Sequence, residues 1–233
     1  MKEQVGKAVA ARVNDGDIIG VGTGSTVDAA LKAIGERVER EDIRLRVIPS
    51  SYQSAWLCQQ YGLRVYSPLY DSELSWGFDG ADEVDPQLRM IKGRGGAMLQ
   101  EKILAAKCKK FLIIVDESKL VTRLGEKYPI PIEVVPEALN IARLGLLELG
   151  AASVELRQAV SKHGPVITEA GNLILDAQFS AIPDDLEFRI KSLLGVVESG
   201  LFLHYTDEVL IAKSDGVYVR TADSKGNITE QTL

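Results

Sequence analysis

The sequence contains only two cysteines and two histidines among its 233 residues. Cys58 and Cys108 lie far apart along the chain, so neither a disulfide framework nor a cysteine-based zinc site is supported, and we expect both to be packing residues. His163 and His204 have no partner at metal-ligand spacing, which argues against a metal role for either. The net charge is −6 and the basic residues are dispersed, which disfavours nucleic acid or an anionic membrane as the main partner.

Long apolar runs are missing as well. No segment has the uninterrupted apolar length of a membrane span, and the first residues lack the apolar core of a signal peptide. We therefore expect a cytoplasmic protein. What the chain does have is a globular composition, with 45% hydrophobic and 26% charged residues, which is enough to bury a sizeable core.

The order of the predicted elements indicates an α/β fold. Because helical and strand-like patterns alternate, we predict a doubly wound, mostly parallel, Rossmann-like sheet, whose ligands lie beyond the carboxyl ends of the strands. The elements of this domain are predicted as helix 4–13, strand 18–21, helix 26–39, strand 44–48, helix 52–60, strands 63–66 and 75–78, helix 96–107 and strand 111–115.

After residue 128 the pattern changes to short strands and two helices, which predicts a smaller inserted α+β domain of the ferredoxin-like kind. The predicted domains are therefore 1–128 with 203–233, and 129–202. Two strands joined by a Ser-Asp-Gly turn are predicted to form a hairpin near the end of the chain. The elements predicted here are strands 132–135, 153–157, 165–168, 172–179 and 196–199, helices 137–149 and 184–193, and hairpin strands 208–213 and 216–221.

The sequence VGTGSTV at residues 21–27 follows a strand and opens a helix. Backbone amides at the positive end of a helix, together with the hydroxyls of Thr23, Ser25 and Thr26 beside Gly24, predict a phosphate site. The segment lacks the lysine of a nucleotide P-loop and the third glycine of a dinucleotide fingerprint, which disfavours ATP and NAD. The alternative is a plain strand-to-helix turn with Ser25 or Thr26 as the N-cap.

The sequence DGADE at residues 79–83 directly follows a predicted strand. That position brings Asp79 to the rim where we expect the phosphate loop, and Asp82 is close enough to share a ligand. Lys119 follows the next strand and reaches the same rim. The spacing of the acidic residues excludes a calcium loop and leaves magnesium open, and the alternative is a solvated acidic turn.

A glycine-rich segment, KGRGGA at residues 92–97, precedes the predicted helix that carries Glu101. Lys92 begins this turn, and Gly93, Gly95 and Gly96 let the backbone approach a ligand closely, as recognition of sugar hydroxyls or an enediolate through N–H groups requires. Apolar neighbours make Glu101 the best candidate for a general base, and we expect the loop to bring it near Lys92. The alternative is an exposed glutamate paired with a helical lysine.

Taken together, these blocks resemble the ribose-5-phosphate isomerase A family over nearly the whole chain. The resemblance implies an isomerase without metal or cofactor that interconverts ribose 5-phosphate and ribulose 5-phosphate, in the pentose phosphate pathway, through a cis-enediolate. It also implies a homodimer or a homotetramer. The matching blocks are 21–27, 79–83, 92–97 with 101–102, 116–119, 131–136 and 195–202.

The same resemblance implies a role for each site residue. Glu101 matches the general base, and Asp79 matches a residue that assists ring opening and proton movement at the sugar oxygens. Asp82 and Lys92 match residues that hold hydroxyls and stabilise the enediolate. The implied substrate-binding positions are Lys2, Thr23, Gly24, Ser25, Thr26, Gly80, Ala81, Gly93, Arg94, Gly95, Gly96 and Lys119.

The chain departs from the family at Arg94 and at residues 168–172, and residues 50–53 occupy a loop that varies among members, so their part in substrate selection stays open. Arg94 stands where some members have glycine, so it either adds a phosphate or oxyanion contact or points to solvent. The family often has Thr-Asp-Asn-Gly-Asn where residues 168–172 read TEAGN, which puts a substrate contact from this loop in doubt.

Two other functions compete with this interpretation. An amino-sugar-phosphate isomerase or deaminase typically needs a histidine near the acidic loop, and none lies between residues 50 and 101. A sugar-phosphate sensor of a transcription regulator would need a DNA-binding module, and the residues before strand 18–21 cannot hold a helix-turn-helix. The sequence therefore favours the isomerase.

Overall fold

The computed structural model consists of two units. Unit 1 contains the large sheet, and unit 2 contains the ferredoxin-like part of the chain. Unit 1 comprises Met1–Ala81, Gln100–Leu120 and Tyr205–Leu233, and unit 2 comprises Asp82–Leu99 and Val121–His204. The residues that the structure describes are 2–67, 69, 73–223 and 226–233.

The elements are numbered along the chain. The helices are α1 Lys2–Ala10, α2 Ser25–Glu41, α3 Tyr52–Gln60, α4 Met98–Lys107, α5 Leu139–Glu148 and α6 Leu186–Lys191. The strands are β1 Ile18–Val21, β2 Arg46–Pro49, β3 Arg64–Val65, β4 Trp76–Asp79, β5 Glu83–Val84, β6 Met90–Ile91, β7 Phe111–Asp116, β8 Ile130–Val134, β9 Ser153–Leu156, β10 Leu173–Gln178, β11 Val196–Ser199, β12 Leu201–Phe202, β13 Glu208–Lys213, β14 Gly216–Ala222 and β15 Ile228–Thr232.

Unit 1 is built on an eight-stranded sheet in the order β15-β14-β13-β7-β4-β1-β2-β3. The strands from β13 to β3 run parallel, so the predicted doubly wound, mostly parallel sheet is confirmed. Buried residues of α1 and α2 pack with those of β1 and β4 in one hydrophobic core. Because β7, β4, β1 and β2 are neighbours, the loops that follow them meet at one edge of the sheet.

The predicted hairpin of unit 1 is confirmed, because β13 pairs antiparallel with β14. A further strand, β15, pairs with β14 and was not predicted. Its sequence is largely polar and exposed, so it lacks the apolar alternation by which strands are recognised. No helix among the described residues combines the length and apolarity that crossing a membrane requires.

Unit 2 contains a four-stranded antiparallel sheet in the order β11-β8-β10-β9, with α5 and α6 in the two crossover connections. This order confirms the predicted ferredoxin-like fold. The predicted strand 165–168 is wrong, because only isolated bridges occur there, from Pro165 to Gln158 and from Ile167 to Leu173. Proline has no N–H for a ladder, and Thr168 enters a tight turn that closes on Asn172.

The division between the units differs from the predicted boundaries of 1–128 with 203–233 and 129–202. Segment 82–99 belongs to unit 2, since β5 and β6 form a three-stranded sheet with β12. The backbone N–H of Lys92 also donates to the carbonyl of Gly200 at 2.8 Å. Strands of two residues have no periodicity that a sequence could display, so this sheet was not predicted.

Candidate functional site

The loop after β1 presents the start of α2 at the edge of the sheet. Gly24 is the N-cap residue of α2, and its φ of 137° lies in the region that favours glycine. The alternative that Ser25 or Thr26 caps the helix is therefore wrong. Because glycine has no side chain to accept from the first helical amides, those N–H groups can bind an anion.

Two lysines of unit 1 add positive charge beside this helix end. The Nζ of Lys2 in α1 donates to the Oγ of Ser25 at 2.7 Å. Lys119 ends the short 3-10 helix that follows β7. Burial by itself would raise the pKa of Asp116, but hydrogen bonds from Ser118 and the charges of Lys119 and Lys2 outweigh burial and lower that pKa. Both ammonium groups therefore act electrostatically on the carboxylate at the end of β7.

Asp79 ends β4 and is fully buried. Its Oδ1 accepts hydrogen bonds from the backbone N–H of Thr23 at 3.0 Å and of Gly80 at 2.7 Å. The predicted approach of the acidic loop to the glycine loop is confirmed by this contact, and the alternative of a solvated turn is wrong for Asp79. A Cβ atom at Gly22 would lie 2.0 Å from Cγ of Asp79, so this close approach requires glycine.

The side chain of Thr23 lies in a cluster of serine hydroxyls. Its Oγ1 is 3.1 Å from the Oγ of Ser50, 2.6 Å from that of Ser51 and 2.9 Å from that of Ser54. All three serines are buried, and the Oγ of Ser54 also donates to the carbonyl of Gly22 at 2.5 Å. The hydroxyl of Thr23, which we expected to contact phosphate, is thus bound to these serines. Ser51 is in addition the N-cap residue of α3.

Glu101 lies in the first turn of α4, and only 5% of its surface is exposed. The predicted dry environment is confirmed, and the alternative of an exposed surface glutamate is wrong. Leu104, one turn further along, packs so closely on β1 that a Cβ atom at Gly20 would lie 2.8 Å from Cγ of Leu104. Packing on the central sheet therefore fixes the part of α4 that carries this carboxylate.

In unit 2, Asp82 holds the glycine-rich segment through its side chain. Its Oδ2 accepts a hydrogen bond from the backbone N–H of Arg94 at 3.1 Å. Gly93 and Gly96 have φ values of 94° and 81°, so the turn needs glycine at both positions. Lys92 is buried, with its Nζ over the ring of Phe202 at 5.5 Å from the centroid. The predicted approach of Lys92 to Glu101 joins residues of different units and stays a prediction.

The side chain of Arg94 is stacked on an aromatic ring of the same unit. Its guanidinium carbon lies 4.0 Å from the ring centroid of Tyr128, while the residue stays exposed. Gly95 next to it is exposed, with no atom within 4 Å of a Cβ at that position. The side chain of Arg94 is thus exposed and stacked, and its contact with a phosphate or an oxyanion stays a prediction.

Arg157, which follows β9, binds the glycine-rich segment 92–97, and the sequence did not reveal this contact. Its Nη1 donates to the carbonyls of Gly93 at 3.0 Å and Arg94 at 2.9 Å. Its Nε donates to Oδ2 of Asp176 at 2.8 Å, and its Nη2 donates to the other oxygen of that carboxylate. Arg157 is 64 positions from Gly93, so no local pattern pointed to the contact.

The cysteines and histidines take no part in the hydrogen bonds described above. Cys58 and Cys108 are free, and burial raises the pKa of each thiol to about 12, so both stay protonated at neutral pH. His163 and His204 are exposed. Within the described ranges, no cluster of three or more His, Cys, Asp or Glu side chains is placed to hold a metal ion.

Comparison with known proteins gives the family. The sequence profile described as ribose 5-phosphate isomerase A (phosphoriboisomerase A) matches residues 46–216. Ribose-5-phosphate isomerase A of Methanothermobacter thermautotrophicus is 43% identical over 209 residues, which cover 89% of this chain and 91% of that protein. This chain belongs to the ribose-5-phosphate isomerase A family.

Solved structures agree with that assignment. Ribose 5-phosphate isomerase A of Methanocaldococcus jannaschii matches with a TM-score of 0.90 and 40% identity, over 94% of this chain and 97% of that one. A D-ribose-5-phosphate isomerase in complex with phospho-erythronic acid matches with a TM-score of 0.90 and 36% identity, over 100% of this chain and 97% of that one. The fold described above is thus that of ribose-5-phosphate isomerase A.

The loop at 168–172, where this chain departs from the ribose-5-phosphate isomerase A pattern, has a structural contact. Thr168 Oγ1 and Asn172 Nδ2 both donate to Oε1 of the buried Glu133, at 2.8 Å and 2.9 Å. The backbone N–H of Asn172 also donates to the hydroxyl of Thr168 at 3.1 Å. These bonds attach the loop to β8, so in this family member the threonine and the asparagine hold the loop in place.

Proposed function

We propose that this chain interconverts D-ribose 5-phosphate and D-ribulose 5-phosphate through a cis-enediolate. The observation that carries the proposal is that unit 1 combines a helix N-terminus contacted by Lys2 with the buried carboxylates of Asp79 and Glu101. Family membership, and a phospho-erythronic acid complex of a protein with the same fold, support the same substrate class.

The phosphate group of the substrate is assigned to the rim of unit 1. The amides at the start of α2, with Ser25 and Thr26, donate hydrogen bonds to it, and Lys2 and Lys119 supply positive charge. Binding through a remote phosphate leaves the other end of the sugar to be aligned with the reacting groups.

Proton transfer is assigned to the carboxylates. Glu101 removes the proton from C2 of the open-chain aldose and returns it to C1, so that the enediolate lies between the two transfers. Asp79 moves the hydroxyl proton during ring opening and isomerisation. In unit 2, Asp82, Lys92 and the backbone around Gly93, Gly95 and Gly96 are assigned to the sugar hydroxyls and the enediolate charge. Gly80 and Ala81 present their backbone beside Asp79.

The direct test is conversion of ribose 5-phosphate to ribulose 5-phosphate by the purified protein after treatment with EDTA. We expect full turnover, since acid–base chemistry at carboxylates needs no metal ion. Glucosamine 6-phosphate and allose 6-phosphate serve as controls for other sugar-phosphate chemistry. Binding of ribose 5-phosphate without turnover would overturn the proposal and favour a sensor.

Replacing Lys119 by alanine is expected to raise KM for ribose 5-phosphate about 10–100-fold and to change kcat little. A hydrogen bond to a charged group contributes about 1.5–3 kcal/mol, and a phosphate group bound equally in ground and transition states affects KM. Steady-state kinetics check this, with Lys109→Ala as the control because Lys109 is an exposed lysine paired with Glu73. A loss of kcat at unchanged KM would contradict the phosphate role.

The proposal includes a location in the cytoplasm, because the substrate is a charged sugar phosphate.

The proposal also includes assembly of the chain into a homodimer or a homotetramer. Exposed apolar side chains on the helical face of unit 2, Ile141 and Leu144 in α5 and Phe188 in α6, support contact between copies.

A further inference from the structure

The carboxylate of Asp79 accepts a hydrogen bond from a backbone N–H, and the carbonyl of the same peptide group accepts a hydrogen bond from a distant side chain. The Oγ of Ser54 donates to the carbonyl of Gly22 at 2.5 Å, and the N–H of Thr23 donates to Oδ1 of Asp79 at 3.0 Å. That carbonyl and that N–H belong to one planar peptide group. A chain of hydrogen bonds thus runs from the Ser54 hydroxyl, through this peptide, to the carboxylate.

The same arrangement occurs independently in unit 2. Nη1 of Arg157 donates to the carbonyl of Gly93 at 3.0 Å, and the N–H of Arg94 donates to Oδ2 of Asp82 at 3.1 Å. These two groups again form one peptide. Asp79 and Asp82 therefore each accept a hydrogen bond from the N–H of a peptide group. The carbonyl of that same peptide group accepts a hydrogen bond from a side chain distant in sequence, 32 positions away for Ser54 and 64 for Arg157.

When a side chain donates a hydrogen bond to the carbonyl of a peptide group, the N–H of that peptide group is affected in two ways. The peptide is planar with a high barrier to twisting, so fixing the direction of the carbonyl fixes the direction of the N–H. A hydrogen bond accepted by the carbonyl also polarises the peptide and strengthens the bond that its N–H donates. Both effects act on the aspartate that accepts from that N–H.

We infer that Ser54 and Arg157 are positioning residues, which aim Asp79 and Asp82 through the peptides 22–23 and 93–94. The inference rests on the proposed isomerase function. Neither side chain is assigned a contact with the sugar; each acts through the backbone.

The surroundings of both residues suit this role. Ser54 is only 2% exposed and lies in the first turn of α3. Its hydroxyl donates to the β1 loop, at the carbonyl of Gly22. The guanidinium of Arg157 is held by Asp176, so its Nη1 approaches the loop carbonyls in a fixed direction.

The first test compares Ser54→Ala with Ser50→Ala. Ser50 belongs to the same hydroxyl cluster but contacts Oγ1 of Thr23 and not the carbonyl of Gly22. We expect Ser54→Ala to lower kcat about 10–100-fold, the size of effect that misplacing a reacting group by about 1 Å produces. Inhibition by inorganic phosphate should stay at the wild-type level, because Lys2, Ser25 and Lys119 are unchanged. Ser50→Ala should lose much less, and Ser54→Thr, which keeps the hydroxyl, should recover activity.

A second measurement needs no turnover. In the NMR spectrum of Ser54→Ala, the amide proton of Thr23 should move upfield, because its hydrogen bond to Asp79 weakens. Ser50→Ala should leave this resonance near its wild-type position. If Ser54→Ala does not fold, Ser54→Cys, which keeps the volume with a weaker donor, takes its place in both measurements.

For Arg157 the variant is Arg157→Lys, which keeps the charge but loses the planar fork. Arg143→Lys is the matched control, since Arg143 also donates to a carbonyl of unit 2, that of Val154. We expect Arg157→Lys to lower kcat about tenfold or more, with unchanged phosphate inhibition, and to move the amide resonance of Arg94.

The outcomes separate this inference from the proposed function. No turnover by the wild type would overturn the function. An active wild type with Ser54→Ala and Arg157→Lys equal to their controls would overturn only the positioning roles. Loss of phosphate inhibition in parallel with kcat would also overturn them, because it would show a general disturbance of the site.

Discussion

Replacing Glu101 by glutamine lowers kcat for ribose 5-phosphate by about 10²–10⁴-fold, with KM little changed. The amide has nearly the same size and shape, so the packing of α4 is kept, but it cannot accept the proton from C2. General-base catalysis contributes about that factor, equivalent to roughly 3–5 kcal/mol of activation free energy. Because only 5% of Glu101 is exposed, bulk water is a poor substitute for the missing base.

Steady-state kinetics on the purified variant measure this effect, with the far-ultraviolet circular dichroism spectrum as a check of folding. Glu36→Gln is the matched control, because Glu36 is an exposed glutamate of α2. A folded Glu101→Gln enzyme with kcat within a few-fold of wild type would mean that another group takes the proton. Asp79, which is also buried in unit 1, would then be the candidate.

The second large effect concerns stability. Glu83→Ala is expected to lower the free energy of unfolding by about 3–5 kcal/mol. The fully buried Glu83 carboxylate accepts hydrogen bonds from the backbone N–H groups of Gly125 at 2.7 Å, Lys127 at 2.7 Å and Tyr128 at 2.8 Å. Hydrogen bonds to a charged acceptor contribute about 1.5–3 kcal/mol each. In the variant, the N–H groups that water can reach recover part of this free energy by hydrogen bonding to water.

Denaturant titration measures the effect, read as a lower midpoint at unchanged slope. Glu126→Ala is the matched control in the same loop, since Glu126 is exposed and accepts from Thr122. Glu83→Gln should fall between wild type and Glu83→Ala, because it keeps one acceptor oxygen and places an NH₂ group against a donor. Equal destabilisation by Glu83→Ala and Glu126→Ala would show that burial of the acceptor is not what matters.

Glu83 also shows what could not be predicted from the sequence. The acidic segment drew attention to Asp79 and Asp82 as ligand-binding residues, whereas Glu83, in the same segment, binds three backbone amides 42 to 45 positions away. Its role depends on which distant segment the fold places next to it, and the spacing of nearby residues does not predict that. The resemblance to the family indicated which blocks matter but not what each member of a block contacts.

Elements with strong local signals were predicted well. The bounds of β1, α3, β11 and β13 are those read from the sequence, because each is an apolar or capped run bounded by glycine, proline or polar turns. The short strands β5, β6 and β12 exist through pairing with one another and leave no trace in any window of sequence.

Within the candidate site, charge and glycine patterns pointed to the loop after β1 and to Asp79, which the structure joins by a hydrogen bond, and both Asp79 and Glu101 are buried. Their catalytic roles stay predictions. The sequence did not show the serines that hold Thr23 or the arginine that holds the 92–97 loop. Serine and arginine are usually surface residues, so their contacts with a distant loop become visible only when the fold brings the two segments together.

The position of β13 in the large sheet bears on how the chain is made. This strand comes late in the sequence, yet it pairs with β7, whose residues are almost all buried. Ribosomes deliver the chain from its N-terminus, so β7 emerges well before its neighbour does. Until residues 208–213 leave the exit tunnel, the apolar edge of β7 is an open template for strands of other nascent chains. This edge of β7 is therefore covered only after segment Val121–His204 of unit 2 has been synthesised.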